Sequence, residues 1–264
     1  MVRQGDVWHM RPAGPDAHNH AMIKPILAIH IAAGSVALAS MLIPVVAMKG
    51  GRLHRRAGWV FVCAMATVSA TALLLSGSRL LFDLRPEARD AGFFLLAVSF
   101  LTGNAVSTGV RVLRFKARTT PHVHWWDTGL PAVLILFSVA LGAYGIWRGN
   151  VLFIAFAVIG LLSGGGALRY WLRAPASRMH WWFEHMGSML GGCIAATTAF
   201  LVVNASNMGL WPMAAWLAPS IIGTPATVIW TAYYRRRFSG SRSSHSGISS
   251  AAPAAVPRTL SRTA

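Results

Sequence analysis

Seven stretches of this sequence each run for about twenty residues with almost no charge, which is the length an α-helix needs to cross the hydrocarbon core of a bilayer. They fall at about 22–48, 56–81, 91–113, 129–147, 150–173, 184–206 and 211–234. A chain built this way has few choices. With no water to satisfy its peptide groups, a spanning segment must close its hydrogen bonds internally, as a helix does. The expectation is therefore an all-α, polytopic bundle of seven transmembrane helices with short connections. The fourth and fifth segments are parted only by Arg148, Gly149 and Asn150, so a tight hairpin is required there. Pro219, Gly223 and Pro225 predict a kink in the seventh.

Composition agrees. Of 264 residues, 55% are hydrophobic and 12% charged, about half the charged fraction of a soluble domain. The net charge of +17 does not indicate nucleic acid, because the Lys and Arg lie between apolar segments, where membrane topology places them. Seventeen of the 24 fall in the first, third and fifth connections and the C-terminal tail. That asymmetry predicts an N-terminus outside and a cytoplasmic C-terminus. The domain division is a polar N-terminal segment (1–21), a seven-helix domain (22–237) and a Ser-, Ala- and Pro-rich cytoplasmic tail (238–264) that should be disordered. His9, His18 and His20 lie in the first of these and His245 in the last, where solvated tails are expected. Cys63 and Cys193 both sit inside apolar runs, so no structural disulfide is expected.

Three even-numbered helices open alike: LHRRAGW (53–59), HVHWWDTGLP (122–131) and MHWWFEHMG (179–187). The similarity resembles three hairpins built to one plan. It gathers His54, His122, His124, His180 and His185 at the cytoplasmic face, with Asp127 and Glu184 as the acids there. One reading is structural: the tryptophans form an interfacial belt, histidine tolerates the same zone, Asp127 caps the fourth helix and Glu184 favours the positive end of the sixth. The other reading is a site. His185, Met189 and Cys193 recur at i, i+4 and i+8 and share a face, while Gly187, Gly191 and Ala195 offer a small-residue ridge on the opposite one. His30 lies within the first span, where an ionisable group is a functional candidate. A hydrogen bond to Asn104, Ser107, Thr197 or Thr198 is its structural alternative. Asn104, Thr108, Gly160 and Ser163 to Gly166 read as tight helix packing. There is no phosphate-binding glycine loop, HExxH helix or nucleophile elbow. No carboxylate lies within a span to relay protons, against an ordinary proton-coupled pump.

HIAAGSVALAS, GRLHRRAGWVFVCAMATVSATALLL and EHMGSMLGGCIAATTAFLVVN resemble the bacterial membrane proteins grouped as domain of unknown function 2306. The resemblance covers most spans but not the tails and implies a polytopic inner-membrane protein without an activity. HIAAG with LHRRAGW is more distantly similar to the cytochrome b561 type of membrane haem protein, in which histidines of neighbouring helices ligate haem b in pairs at both faces. That similarity implies ligand roles for His30 and His54. The sequence departs from it in offering His30 alone at the outer face.

Three functions follow. The first is a redox membrane protein holding one haem b near the cytoplasmic face through His54 and His185, with His124, His180 or His30 as substitutes, and a quinone or other redox carrier as partner. The second is a metal-dependent hydrolase acting on lipids, with zinc held by His180 and His185 beside Glu184 or Asp127. The third is a transporter, sensor or assembly protein whose histidines are structural. Whether the chain is an enzyme is open among them. The topology is directly testable: a reporter fused after Arg237 should be active in its cytoplasmic form, and activity of a periplasmic reporter there would reverse the orientation.

Overall fold

The computed structural model describes residues 15–246, with side chains described for 23–237. It contains seven α-helices: α1 (Pro15–Val46), α2 (Arg52–Phe82), α3 (Pro86–Arg111), α4 (Trp125–Arg148), α5 (Val151–Leu172), α6 (His180–Asn204) and α7 (Pro212–Ser246). A 3-10 turn (Val112–Arg114) extends α3, and no strand occurs among the described residues. All seven helices are long and apolar enough to cross a membrane. Each matches one of the apolar stretches of the sequence, and the helices begin earlier where polar first turns precede the apolar run. Thus α2 starts at Arg52 and α6 at His180. α7 is helical across Pro219 and Pro225 and continues to Ser246, into the segment expected to be disordered. A helix already nucleated extends at little cost, one hydrogen bond per residue fixed. His9 lies outside the described residues, as do the side chains of His18, His20 and His245.

The α4–α5 connection is as tight as the sequence requires. Gly149 ends α4 in the left-handed region at φ 62°, and the Asn150 side chain caps α5 by accepting from the Phe153 amide at 3.2 Å. Close packing carries the hairpin onward. A Cβ on Gly145 would lie 2.8 Å from that of Phe153, and one on Gly164 would lie 2.9 Å from Ile135 Cγ1 and 3.0 Å from the Pro131 carbonyl. Gly160 and Gly164 thus confirm the packing read from the sequence, whereas Gly165 and Gly166 face open space.

α3 is the centre of the bundle, touching α2, α4, α5 and α6. It divides the interior into two apolar cores. One joins α1, α2, α3 and α6 through Ala37, Phe61, Ala64, Met65, Val106 and Ala196. The other joins α3, α4 and α5 through Phe94, Ala97, Leu141, Phe153, Phe156 and Ala157, with Trp216 of α7 packed on it. Asn104 is buried on α3 and donates to Ser163 of α5 at 3.4 Å.

The two ends differ. At one, the α2–α3 turn is closed by Arg85 on Asp83 at 2.7 Å, which holds the Asp83 carboxyl down to about 2. Arg148 and Tyr144 of α4 there bond Asp90 of α3. At the other, the connections 47–51, 115–124 and 173–179 meet, carrying Lys49, Lys116, Arg118, Arg173 and Arg178. This is the basic end. Gly164→Leu should force α4 and α5 apart and destabilise the protein by about 1–3 kcal/mol, read as a lower thermal midpoint in detergent with unchanged far-ultraviolet helicity below it.

Candidate functional site at the basic end

Each histidine at the basic end starts a helix or precedes one, and each finds a different partner. His54 lies in the first turn of α2, and its Nδ1 donates to the carbonyl of Pro44 in the last turn of α1 at 3.1 Å. His185, in the second turn of α6, donates from Nδ1 to the carbonyl of Gly109 in the last turn of α3 at 2.7 Å. A carbonyl can only accept, so both rings carry their proton on Nδ1 and keep the Nε2 lone pair. The two rings face each other edge-on, with centroids 6.5 Å apart and planes inclined by 70°. Neither Nε2 has a hydrogen-bond partner among the described residues. This is the pair anticipated from the sequence.

Glycine makes the His185 contact available. A Cβ on Gly109 would collide with the end of Met189 and lie 3.1 Å from Ser188 Cβ. α6 can therefore press its His185–Met189 stripe directly onto the α3 backbone, and Met189 and Cys193 go on to pack against the α1–α2–α3 core. The opposite ridge does not behave as anticipated. Gly187 and Gly191 have nothing within 4 Å of an added Cβ. An added Cβ on Gly192 would meet the Phe61 ring at 3.4 Å, ordinary contact, and the tight approach to α6 comes instead from Gly223 of α7, where an added Cβ would lie 2.6 Å from Ile194 Cγ1.

Most of the remaining polar residues are committed elsewhere. Asp127 is 4% exposed and does not cap α4. It pairs with Arg111 of α3, and accepts from His122 Nε2 at 3.0 Å. The α4 cap is His124, whose Nδ1 accepts from the Trp126 amide at 3.3 Å. An accepting Nδ1 puts the proton of a neutral ring on Nε2, opposite to His54 and His185. His180 meets the Tyr170 hydroxyl through Nδ1 at 2.8 Å, and its Nε2 is buried without a partner. Glu184 makes no hydrogen bond or ion pair among the described residues. Arg118 spans the loop and donates to the carbonyls of Tyr170, Trp171 and Arg173 at 2.8 to 3.2 Å. Lys116 lies over the Trp181 ring at 4.5 Å, and Trp125 and Trp126 are exposed.

His30 stands apart. Its Nδ1 is 2.9 Å from Thr71 Oγ1, whose own hydroxyl donates to the Thr67 carbonyl at 2.7 Å. The partner is Thr71 rather than any of the four residues expected. At about 1.5 Å per residue, Thr71 is roughly 25 Å along α2 from His54, so His30 cannot share a ligand with the basic-end pair. Among the described residues no group of three or more His, Cys, Asp or Glu side chains is placed to hold a metal ion. His180, His185, Glu184 and Asp127 do not form such a group.

Sequence reasoning missed the two carbonyl partners, Pro44 and Gly109, and the ion pair of Arg111 with Asp127. Pro44 did leave a signal: it lies in the last turn of a helix, where carbonyls lack intrahelical donors. No family model, curated protein or solved structure matches the chain. Gly109→Val should lift α6 from α3 and cost about 1–3 kcal/mol, seen as a lower thermal midpoint in detergent, whereas Gly187→Val should change it little.

Proposed function

We propose that this chain is a multi-pass protein of the bacterial inner membrane, with its N-terminus outside, its basic end and C-terminus cytoplasmic, and one haem b held at that end between His54 and His185. The observation that carries the reading is the paired state of these two rings. They come from different helices, lie side by side and share one tautomer, with Nε2 uncommitted. Two neutral imidazoles on different helices, with centroids 6.5 Å apart and Nε2 uncommitted on each, are the donor set that would hold a haem iron. Haem, when bound, supplies single-electron transfer.

The protein's own groups do the positioning. The Pro44 and Gly109 carbonyls fix each ring's orientation and tautomer, the usual service of an outer hydrogen bond to a ligating histidine. Lys49 donates to the same Pro44 carbonyl at 2.8 Å and steadies it. The seven helices long and apolar enough to cross a membrane support the membrane assignment. The exchange partner is a quinone or another redox carrier.

The same two bonds favour a second reading, in which His54 and His185 only cap the ends of α1 and α3 and the protein binds no cofactor. Absorption spectra of the purified protein, oxidised and reduced, separate the two. Under the haem reading a Soret band with sharp reduced bands is present. His54→Ala and His185→Ala each remove it to background while inserted protein persists. His180→Ala and His30→Ala largely keep it. Haem surviving both of the first two substitutions would dismiss the pairing, and absence of haem from the membrane-purified protein leaves the capping reading.

A further inference from the structure

An apolar groove of about 450 Å³ runs between α1 and α2 on the outer surface of the bundle. Ala33 and Val36 of α1 form one wall, Trp59, Val60, Cys63 and Thr67 of α2 the other, and Ala64 lies at its base. Small side chains open it. The groove follows α2 for about two turns, from Trp59 to Thr67, roughly 12 Å, and so accommodates part of one acyl chain.

What lies beyond its mouth identifies the occupant. Arg55, Trp59, Cys63 and Thr67 recur every fourth residue, so they form one stripe along α2. Arg52, Arg56 and Val60 form the neighbouring one. The helix thus places Arg55 and Arg56 a single turn, about 5.4 Å, past the aromatic and aliphatic end of the groove. The guanidinium groups of Arg52, Arg55 and Arg56 make no hydrogen bond or ion pair among the described residues. Arg85, Arg111, Arg118 and Arg148 are all occupied by carboxylates or carbonyls. Nor can the chain nearby supply an anion, since it carries no Asp or Glu between Asp16 and Asp83.

We infer that this groove is a binding site for one anionic phospholipid, with an acyl chain along Ala33, Ala64 and Cys63 and the phosphate on Arg55 and Arg56. A guanidinium fork matches a phosphate bidentately. The apolar walls supply what a free phosphate cannot use, and the arginines supply what a neutral lipid cannot use. The inference rests on the proposed membrane location, with the basic end at the anionic cytoplasmic leaflet.

Native mass spectrometry of the full chain released from neutral detergent tests it, with phosphatidylglycerol, phosphatidylcholine and inorganic phosphate titrated separately. One phosphatidylglycerol should be retained in preference to phosphatidylcholine, and inorganic phosphate should not displace it. The double variant Arg55→Gln with Arg56→Gln should retain it roughly thirtyfold less well, since each basic residue near the surface adds a comparable increment. Cys63→Phe, which fills the groove and leaves the arginines intact, should also lower retention. Both substitutions are at exposed positions, so circular dichroism should show an unchanged fold. Equal retention of the two lipids, or wild-type retention by the double variant, overturns the site. Displacement by inorganic phosphate overturns the acyl-chain contact. A chain that stays soluble without detergent instead overturns the membrane reading beneath it.

Discussion

A helix leaves its last four carbonyls without intrahelical donors, and at the basic end of this bundle α1, α3 and α5 all terminate within reach of one another. Who supplies those donors decides how the end is built. Lys49 and His54 supply them to Pro44, His185 to Gly109, and Arg118 with the His122 amide to the last turn of α5. The bonds of His54 to Pro44 and of His185 to Gly109 cross between helices and fix how α2 sits on α1 and how α6 sits on α3, while Lys49, Arg118 and His122 act from the connecting segments. Basic side chains also suit the negative pole of a helix, so the cationic character of this end is locally favourable as well as topologically informative.

The candidate site is a by-product of that arrangement. An imidazole that donates from Nδ1 to a helix terminus is held in one tautomer, and its other nitrogen is presented away from the backbone. Two helices that begin side by side bring two such rings together. Capping supplies the orientation that the proposed ligation would need. The close approach at Gly109 is the condition for both: a β-carbon there would hold α6 back and take His185 from its carbonyl.

The charged residues show the same economy. Asp127 is the acid buried between α3 and α4, and it is matched by Arg111 and His122, so its charge is compensated where it is desolvated. Arg55 and Arg56 have no such match, and they lie where the surface is both exposed and adjacent to a groove. The contrast between compensated and uncompensated cations separates the part of the basic end that holds helices together from the part that is free to meet something else.

The sequence by itself determined the number of helices, the apolar run at the heart of each and the α4–α5 hairpin, while the polar first turns and the end of α7 lay beyond the limits it set. These depend on apolar run length, on Gly149 and Asn150, and on caps, all of which act locally. The gathering of histidines at one end, and the meeting of His54 with His185, were also legible, because alternating helices return like termini to like ends. The tertiary structure alone decided which face of α6 packs, that Asp127 serves Arg111 rather than the α4 cap, and that His30 turns to Thr71. Those outcomes depend on which neighbour approaches closely enough to exclude water. Helical periodicity places Gly187, Gly191 and Ala195 on one face but does not say which helix, if any, will come to it. The backbone carbonyls of Pro44 and Gly109 were invisible for a related reason: every residue carries such a carbonyl, and only the packing of one helix end against another leaves a particular one in need of a donor.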